Sequence, residues 1–132
     1  MNMLKTLKIE ATDDQPKIEF DKDNNILIIA GRSLPEDASV FFSPVIKWIQ
    51  QYINEPNEFT ELILKIEYLN SASVRKLTEI LFCLETLHEK NHIVKVIWFY
   101  KSNDEVMKER GEEIKNVVEL PFELRSETLS EL

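Results

Sequence analysis

A chain of 132 residues and 15.5 kDa has room for one domain, 1–132, with a real hydrophobic core, and 43% hydrophobic with 30% charged residues exclude a disordered polymer. A formal charge of −8 and a pI near 4.8 argue against nucleic acid or an anionic membrane as a partner. The longest apolar runs, among them Ile26 to Ala30 and Val96 to Tyr100, hold five residues where a membrane span needs ~20, so no membrane insertion is expected.

Residues Met1 to Asp14 contain no apolar stretch of signal-peptide length, and the lone Cys83 rules out an internal disulfide. Both point to a reducing, cytoplasmic location. Leu4 to Ile9 reads as an edge strand. Lys17 to Phe20 and Ile26 to Ala30 read as an antiparallel pair joined by the Asp21–Asn25 turn, the second strand closed by Gly31. Ser33 and Glu36 stand in capping-box spacing before a helix whose core stripe is Phe42, Val45, Ile46, Ile49 and Ile53. A second apolar line, Phe41, Val45, Trp48 and Tyr52, runs along the same helix, and one sheet does not bury both lines. Phe41, Trp48 or Tyr52 is therefore expected to offer ring surface to a partner, the alternative being that the N-terminal strands cover it.

Leu62 to Tyr68 alternates, which predicts a strand with Leu62, Leu64, Ile66 and Tyr68 on one face. It ends in Asn70, Ser71 and Ser73, three candidate caps for a helix carrying Leu77, Ile80, Leu81, Leu84 and Leu87. Within that helix Cys83 reads as a small buried hydrophobe, and His88 and His92 straddle its exit, too few ligands for a metal site. Ile93 to Tyr100 is an interior strand. Ser102 and Glu105 then mark a last helix, reaching about Val117, whose Gly111 allows close approach to the sheet. The tail from Asn103 onward holds nine acidic residues against four basic ones.

Alternating β and α periods predict an α/β fold with right-handed crossovers: a four- to five-stranded, mainly parallel sheet with an antiparallel N-terminal strand, and three helices. Ile28, Leu64, Ile66, Val96 and Ile97 are expected to be buried. Phosphate loops, nucleophile elbows and paired-cysteine metal patterns are missing, so no cofactor is expected and the chain reads as a non-enzyme. The informative segment is Tyr68 to Lys76, where a hydroxyl at a strand end precedes a helix. A phosphoryl group there would meet free helix amides, with Arg75 and Lys76 to help neutralise it.

The blocks GRSLPEDASVFFSPVIKWIQQY, IEYLNSASVRKL, VIWFYKSNDEVMKERGEEI and PFEL, in this order, resemble the SiaC-type regulatory phosphoproteins. The resemblance covers nearly the whole chain. It implies a cytosolic bacterial protein with a STAS-like fold, switched by a protein kinase and a PP2C-type phosphatase, whose unphosphorylated form binds and activates a diguanylate cyclase. The family's phosphorylated residue, directly after the Asn of the second block, falls on Ser71; Ala72 stands where the family usually has a further Ser, which leaves Ser73 as the alternative. The partner surface is expected from Arg32, Phe41, Trp48, Tyr52, Asn70, Arg75, Asp104 and Glu105. Two rival readings are a small enzyme using Asn70, Ser71 and Ser73, and a constitutive scaffold in which Ser71 is never modified.

Overall fold

The computed structural model describes residues 4–128. In chain order the elements are β1 (Leu7–Ile9), β2 (Lys17–Asp21), β3 (Ile26–Ser33), α1 (Ala38–Tyr52), β4 (Phe59–Leu69), α2 (Ser71–Glu89), β5 (Ile93–Lys101), α3 (Glu105–Val117) and β6 (Phe122–Glu127). They form a six-stranded sheet in the order β1-β2-β3-β4-β5-β6. The β1–β2 and β2–β3 pairs are antiparallel, and the β3–β4, β4–β5 and β5–β6 pairs are parallel. The sheet therefore has one strand more than the sequence predicts: β6 pairs Phe122 with Val96 and Leu124 with Trp98.

Each crossover advances by one strand in the same direction, so right-handed connections place every helix on the same face of the sheet. That face carries Phe20, Leu27, Ile29, Leu62, Leu64, Val96, Trp98 and Phe122, all buried against α1, α2 and α3. Gly111 lets α3 approach the sheet closely. A Cβ there would lie 2.6 Å from Trp98 Cδ1 and Nε1, while the Trp98 indole N–H donates to the Met107 carbonyl at 3.0 Å.

The opposite face has none of the described helices over it. Its cross-strand row Glu19, Ile28, Ile63, Ile97, Glu123 is apolar at the centre and charged at the ends. Lys95 and Arg125 both reach Glu123, at 2.7 and 2.6 Å, and Lys65 and Arg125 lie over the Phe99 ring. Long side chains lying flat in this way shield apolar surface while their charges stay in water. Ile97 is consequently buried to 3% although no helix covers it. Leu64, Ile66 and Val96 are buried as expected, whereas Ile28 is only half-buried, because its side chain stands on this open face and Leu27 and Ile29 point to the core.

A register shift between Gly31 and Arg32 corrects a second expectation. Gly31 sits at φ +108°, a conformation that L side chains rarely adopt, and the ladder steps from Gly31↔Ile66 to Arg32↔Tyr68. The bulge reverses the alternation of β4: Leu69 turns into the core and Tyr68 turns out, 42% exposed.

Candidate functional site

Because all three helices follow parallel strands, their N-termini gather along the carboxyl edge of the sheet. At the centre of that edge, Asn70 leaves β4 in an extended conformation and caps α2. Its side-chain oxygen accepts the Ser73 amide at 2.9 Å, its carbonyl accepts the Val74 amide at 3.0 Å, and its own amide donates to the Ser33 carbonyl at 3.0 Å. Asn70, of the three candidates, is thus the cap. Ser71 becomes the first helical residue and is exposed.

Ser73 is fully buried and receives a 2.8 Å hydrogen bond from the Ser33 hydroxyl, itself fully buried. This corrects two expectations at once. Ser33 faces α2 rather than capping α1, whose cap is Asp37, accepting from the Val40 amide at 3.1 Å. The Asn70, Ser71 and Ser73 cluster does not converge on a reacting group either, since Asn70 is consumed by the cap and Ser73 points into the core. Only Ser71 presents a polar side chain outward. The first turn of α2 holds no acidic residue, Arg75 is exposed one turn on, and half-buried Lys76 is paired with Glu79 at 3.4 Å. A concavity of about 370 Å³ beside this turn brings Arg75 and Lys76 together with Asp37 and Glu36 from the start of α1.

Arg32 flanks the turn on the strand side. It is exposed, with its guanidinium 5.6 Å from the Tyr68 ring centre and its Nε donating to the Asp13 carbonyl at 3.1 Å. Arg32 shares a cleft of about 600 Å³ with Asp104, Glu67 and Lys101. Asp104, rather than Ser102, caps α3, accepting the Met107 amide at 3.1 Å, and Glu105 is exposed in the first turn.

The aromatic line of α1 lies elsewhere. Trp48 is 6% and Tyr52 1% exposed, which removes both from the expected partner surface. The reason is the N-terminal segment: the Trp48 indole N–H donates to the carbonyl of Lys5, just before β1, at 2.6 Å, and Phe20 of β2 packs on the indole with ring centres 5.1 Å apart. Tyr52 stacks on Trp48 at 5.3 Å and shares a 2.7 Å hydrogen bond with Thr60. Phe41 is half-buried, edge-on to Phe42. In place of Trp48 and Tyr52 the carboxyl edge exposes three residues absent from the expected surface: Val40 at 70%, Tyr68 at 42% and Val106 at 68%. Val40 and Val106 lie off the core stripes of their helices, which is a readable signal; the outward turn of Tyr68 depends on the bulge and is not.

Cys83 is half-buried rather than buried, and that burial pushes its thiol above its ordinary pKa, with nearby Glu79 adding to the shift, which disfavours the reactive thiolate. His88 and His92 are both exposed, and among the described residues no three His, Cys, Asp or Glu side chains converge to hold a metal ion.

A six-stranded sheet covered by three helices on one face, built β-α-β-α-β-α-β after an antiparallel hairpin, defines a mixed α/β module. The chain belongs to the SiaC family of regulatory phosphoproteins, whose family model matches residues 9–127. SiaC of Pseudomonas aeruginosa is similar in structure, with a TM-score of 0.85 and 28% identity over 93% of this chain and 99% of that one. A chain in the crystal structure of the diguanylate cyclase SiaD in complex with its activator SiaC, from the same organism, gives a TM-score of 0.86 and 30% identity over 92% of this chain and 99% of that one. An uncharacterized protein of Pseudomonas aeruginosa strain UCBPP-PA14 is 30% identical over 120 residues, 91% of this chain and 95% of its own length.

Proposed function

We propose that this protein is a cytoplasmic, non-enzymatic switch that binds and activates a diguanylate cyclase when Ser71 is free, is released when a kinase phosphorylates Ser71, and is reset by a PP2C-type phosphatase. The observation that carries the reading is the division of labour in one helical turn: Ser71 is exposed at the first position of α2, while Ser73 is buried and hydrogen-bonded. Membership of a regulatory phosphoprotein family supports a phosphorylation switch, and similarity to a chain from the SiaD complex with its activator SiaC supports a diguanylate cyclase as the effector. No described helix is long and apolar enough to cross a membrane.

The physical mechanism follows from position. A phosphoserine carries about −1.5 to −2 charge, and the first amides of a helix have no intrahelical acceptor, so the turn accommodates the anion without rebuilding. Arg75 is within one turn on the same helix. The fold therefore survives, and what changes is the surface. Beside Tyr68, Val40 and Val106 appears a strongly hydrated dianion, and apolar contact made across that edge loses affinity.

The test is calorimetry of the unmodified and Ser71-phosphorylated protein against a diguanylate cyclase similar to SiaD, with the phosphate located by mass spectrometry. A difference of ~3 kcal/mol lowers affinity more than a hundredfold. Ser71→Ala should stay in the binding form and Ser71→Glu should bind more weakly. Equal affinities of the two forms, or a phosphate on Ser73, would end the proposal.

A further inference from the structure

Ser33 has no part in the cap that its spacing from Glu36 suggests, and it is fully buried, far from any solvent role. It is the last residue of β3, paired with Leu69 at the final rung of the β3–β4 ladder. Both of its polar arms reach the first turn of α2: the hydroxyl donates to Ser73 Oγ at 2.8 Å and the carbonyl accepts the Asn70 amide at 3.0 Å. A buried hydroxyl is retained at little cost only when partnered, and this partner lies 40 residues away in the turn that carries Ser71.

We infer that Ser33 is a positioning residue for the Ser71 switch: by gripping Asn70 and Ser73 from the end of β3, it fixes the first turn of α2 so that Ser71 alone stands outward, above helix amides aligned for a phosphate. The inference rests on Ser71 being the acceptor. Its geometry accounts for the orientation of all three residues. Asn70 is held in the extended conformation that a cap requires, Ser73 is turned inward, and Ser71, lying between them, is left on the outer side. The same grip ties the start of α2 to the end of β3.

The experiment compares the wild type, Ser33→Ala, Ser73→Ala and the double variant, each as the full chain, unmodified and with phosphoserine installed at position 71 by codon reassignment. Amide hydrogen exchange at Ser73 and Val74 is read in the unmodified proteins, and the phosphate is titrated by phosphorus NMR in the modified ones. Either single variant breaks the Ser33–Ser73 hydrogen bond that fixes the turn, besides orphaning one buried hydroxyl, and the loosened turn should speed exchange of those amides roughly tenfold to a hundredfold. In the wild type the second phosphate pKa should fall about half a unit below its ordinary value near 6, and in the single variants it should return to it. The double variant separates positioning from bulk stability. With neither hydroxyl orphaned it should regain most of the melting temperature, yet keep the fast exchange and the ordinary phosphate titration. Exchange rates at Ser73 and Val74 that match the wild type in both single variants would overturn the inference, whatever the phosphate does. A wild-type phosphate that titrates as in a free peptide would instead remove the helix-held phosphate of the proposed function, and the exchange data would still decide the role of Ser33.

Discussion

The C-terminal half of α1 and the first turn of α2 are both tied by hydrogen bonds to segments outside their own helices, yet the bonds do opposite things. At α1, the Lys5 carbonyl takes the Trp48 indole N–H, and Thr60 bonds the Tyr52 hydroxyl, so polar atoms at the ends of two aromatic side chains are satisfied and the rings close into the core. At α2, Ser33 and Asn70 satisfy the polar groups on the inner side of the turn and leave Ser71 outside. Aromatic content is thus a poor guide to a binding surface where further strands are available to cover it. The reachable site is the one whose inner neighbours are already bonded to each other.

The largest effect expected from this contrast is at Trp48. Replacing it with Ala removes a ring packed between Phe20 and Tyr52 and leaves a cavity, a change that costs about 3–5 kcal/mol. Trp48→Ala should therefore lower the melting temperature steeply, and effector binding should fall only in proportion to the unfolded fraction. Full thermal stability combined with lost binding would reverse the assignment of the two regions and return Trp48 to the partner surface.

Gly111→Ala comes next. A new methyl 2.6 Å from the Trp98 indole forces α3 outward or turns the ring, and overpacking of this kind costs about 1–3 kcal/mol. Since α3 begins at Asp104 on the carboxyl edge, the variant also asks whether that edge tolerates a shifted helix. Denaturant melts should show the loss, and the double variant Gly111→Ala with Trp98→Phe should recover part of it. Unchanged melts in the single variant would mean that α3 packs less closely than the described contact.

Below these stands the cap. Asn70→Ala deprives the Ser73 amide of its acceptor and should cost about 1 kcal/mol. Asp37→Ala and Asp104→Ala remove equivalent caps from α1 and α3 and should cost about as much, but only the Asn70 variant should also change presentation of Ser71. Chemical denaturation checks the first statement; comparing the phosphorylation rate of Ser71 in the three variants checks the second. Equal rates in all three would detach the cap from the switch.

Much of this molecule is legible in its sequence, and the exceptions have specific causes. The apolar run at Ile26 to Ala30, the alternation at Leu62 to Ile66 and the mostly apolar stretch Ile93 to Tyr100 identify β3, β4 and β5, because interior strands bury much of their side-chain surface. β6 escapes because only Phe122 and Leu124 of its six residues face the core, and as an edge strand it needs no more. Two caps are misread for a common reason. Ser33 and Ser102 have the spacing of a capping box, but the chain travels further before each helix begins, so Asp37 and Asp104 take the role. That a hydroxyl stands where a strand ends and a helix begins is legible locally, but the residues leave Ser71 and Ser73 open, and only the buried Ser33–Ser73 bond separates them. That bond is not legible, since Ser33 and Ser73 are 40 residues apart and nothing in either neighbourhood announces the other.

The smallest effect belongs to the uncovered face of the sheet, where the comparison of bonded and open surfaces reaches its limit. Glu123 is held below its ordinary pKa, near 4.5, first by the hydrogen bond from Lys95 and then by that from Arg125. A carboxylate whose folded pKa is depressed contributes stability that is present above its unfolded pKa and is lost as pH falls through the folded one. The wild type and Glu123→Gln should therefore differ in stability at neutral pH and converge as the pH is taken from about 4.5 downward, through the depressed folded value. The pairs are solvent-exposed, so the difference should be small and should shrink further at high salt. Denaturant melts across that pH range, at low and high ionic strength, read it directly. Parallel pH–stability curves for the two proteins would show that the charged net over Ile97 and Phe99 acts by covering apolar surface with methylene stems, with its ion pairs contributing nothing.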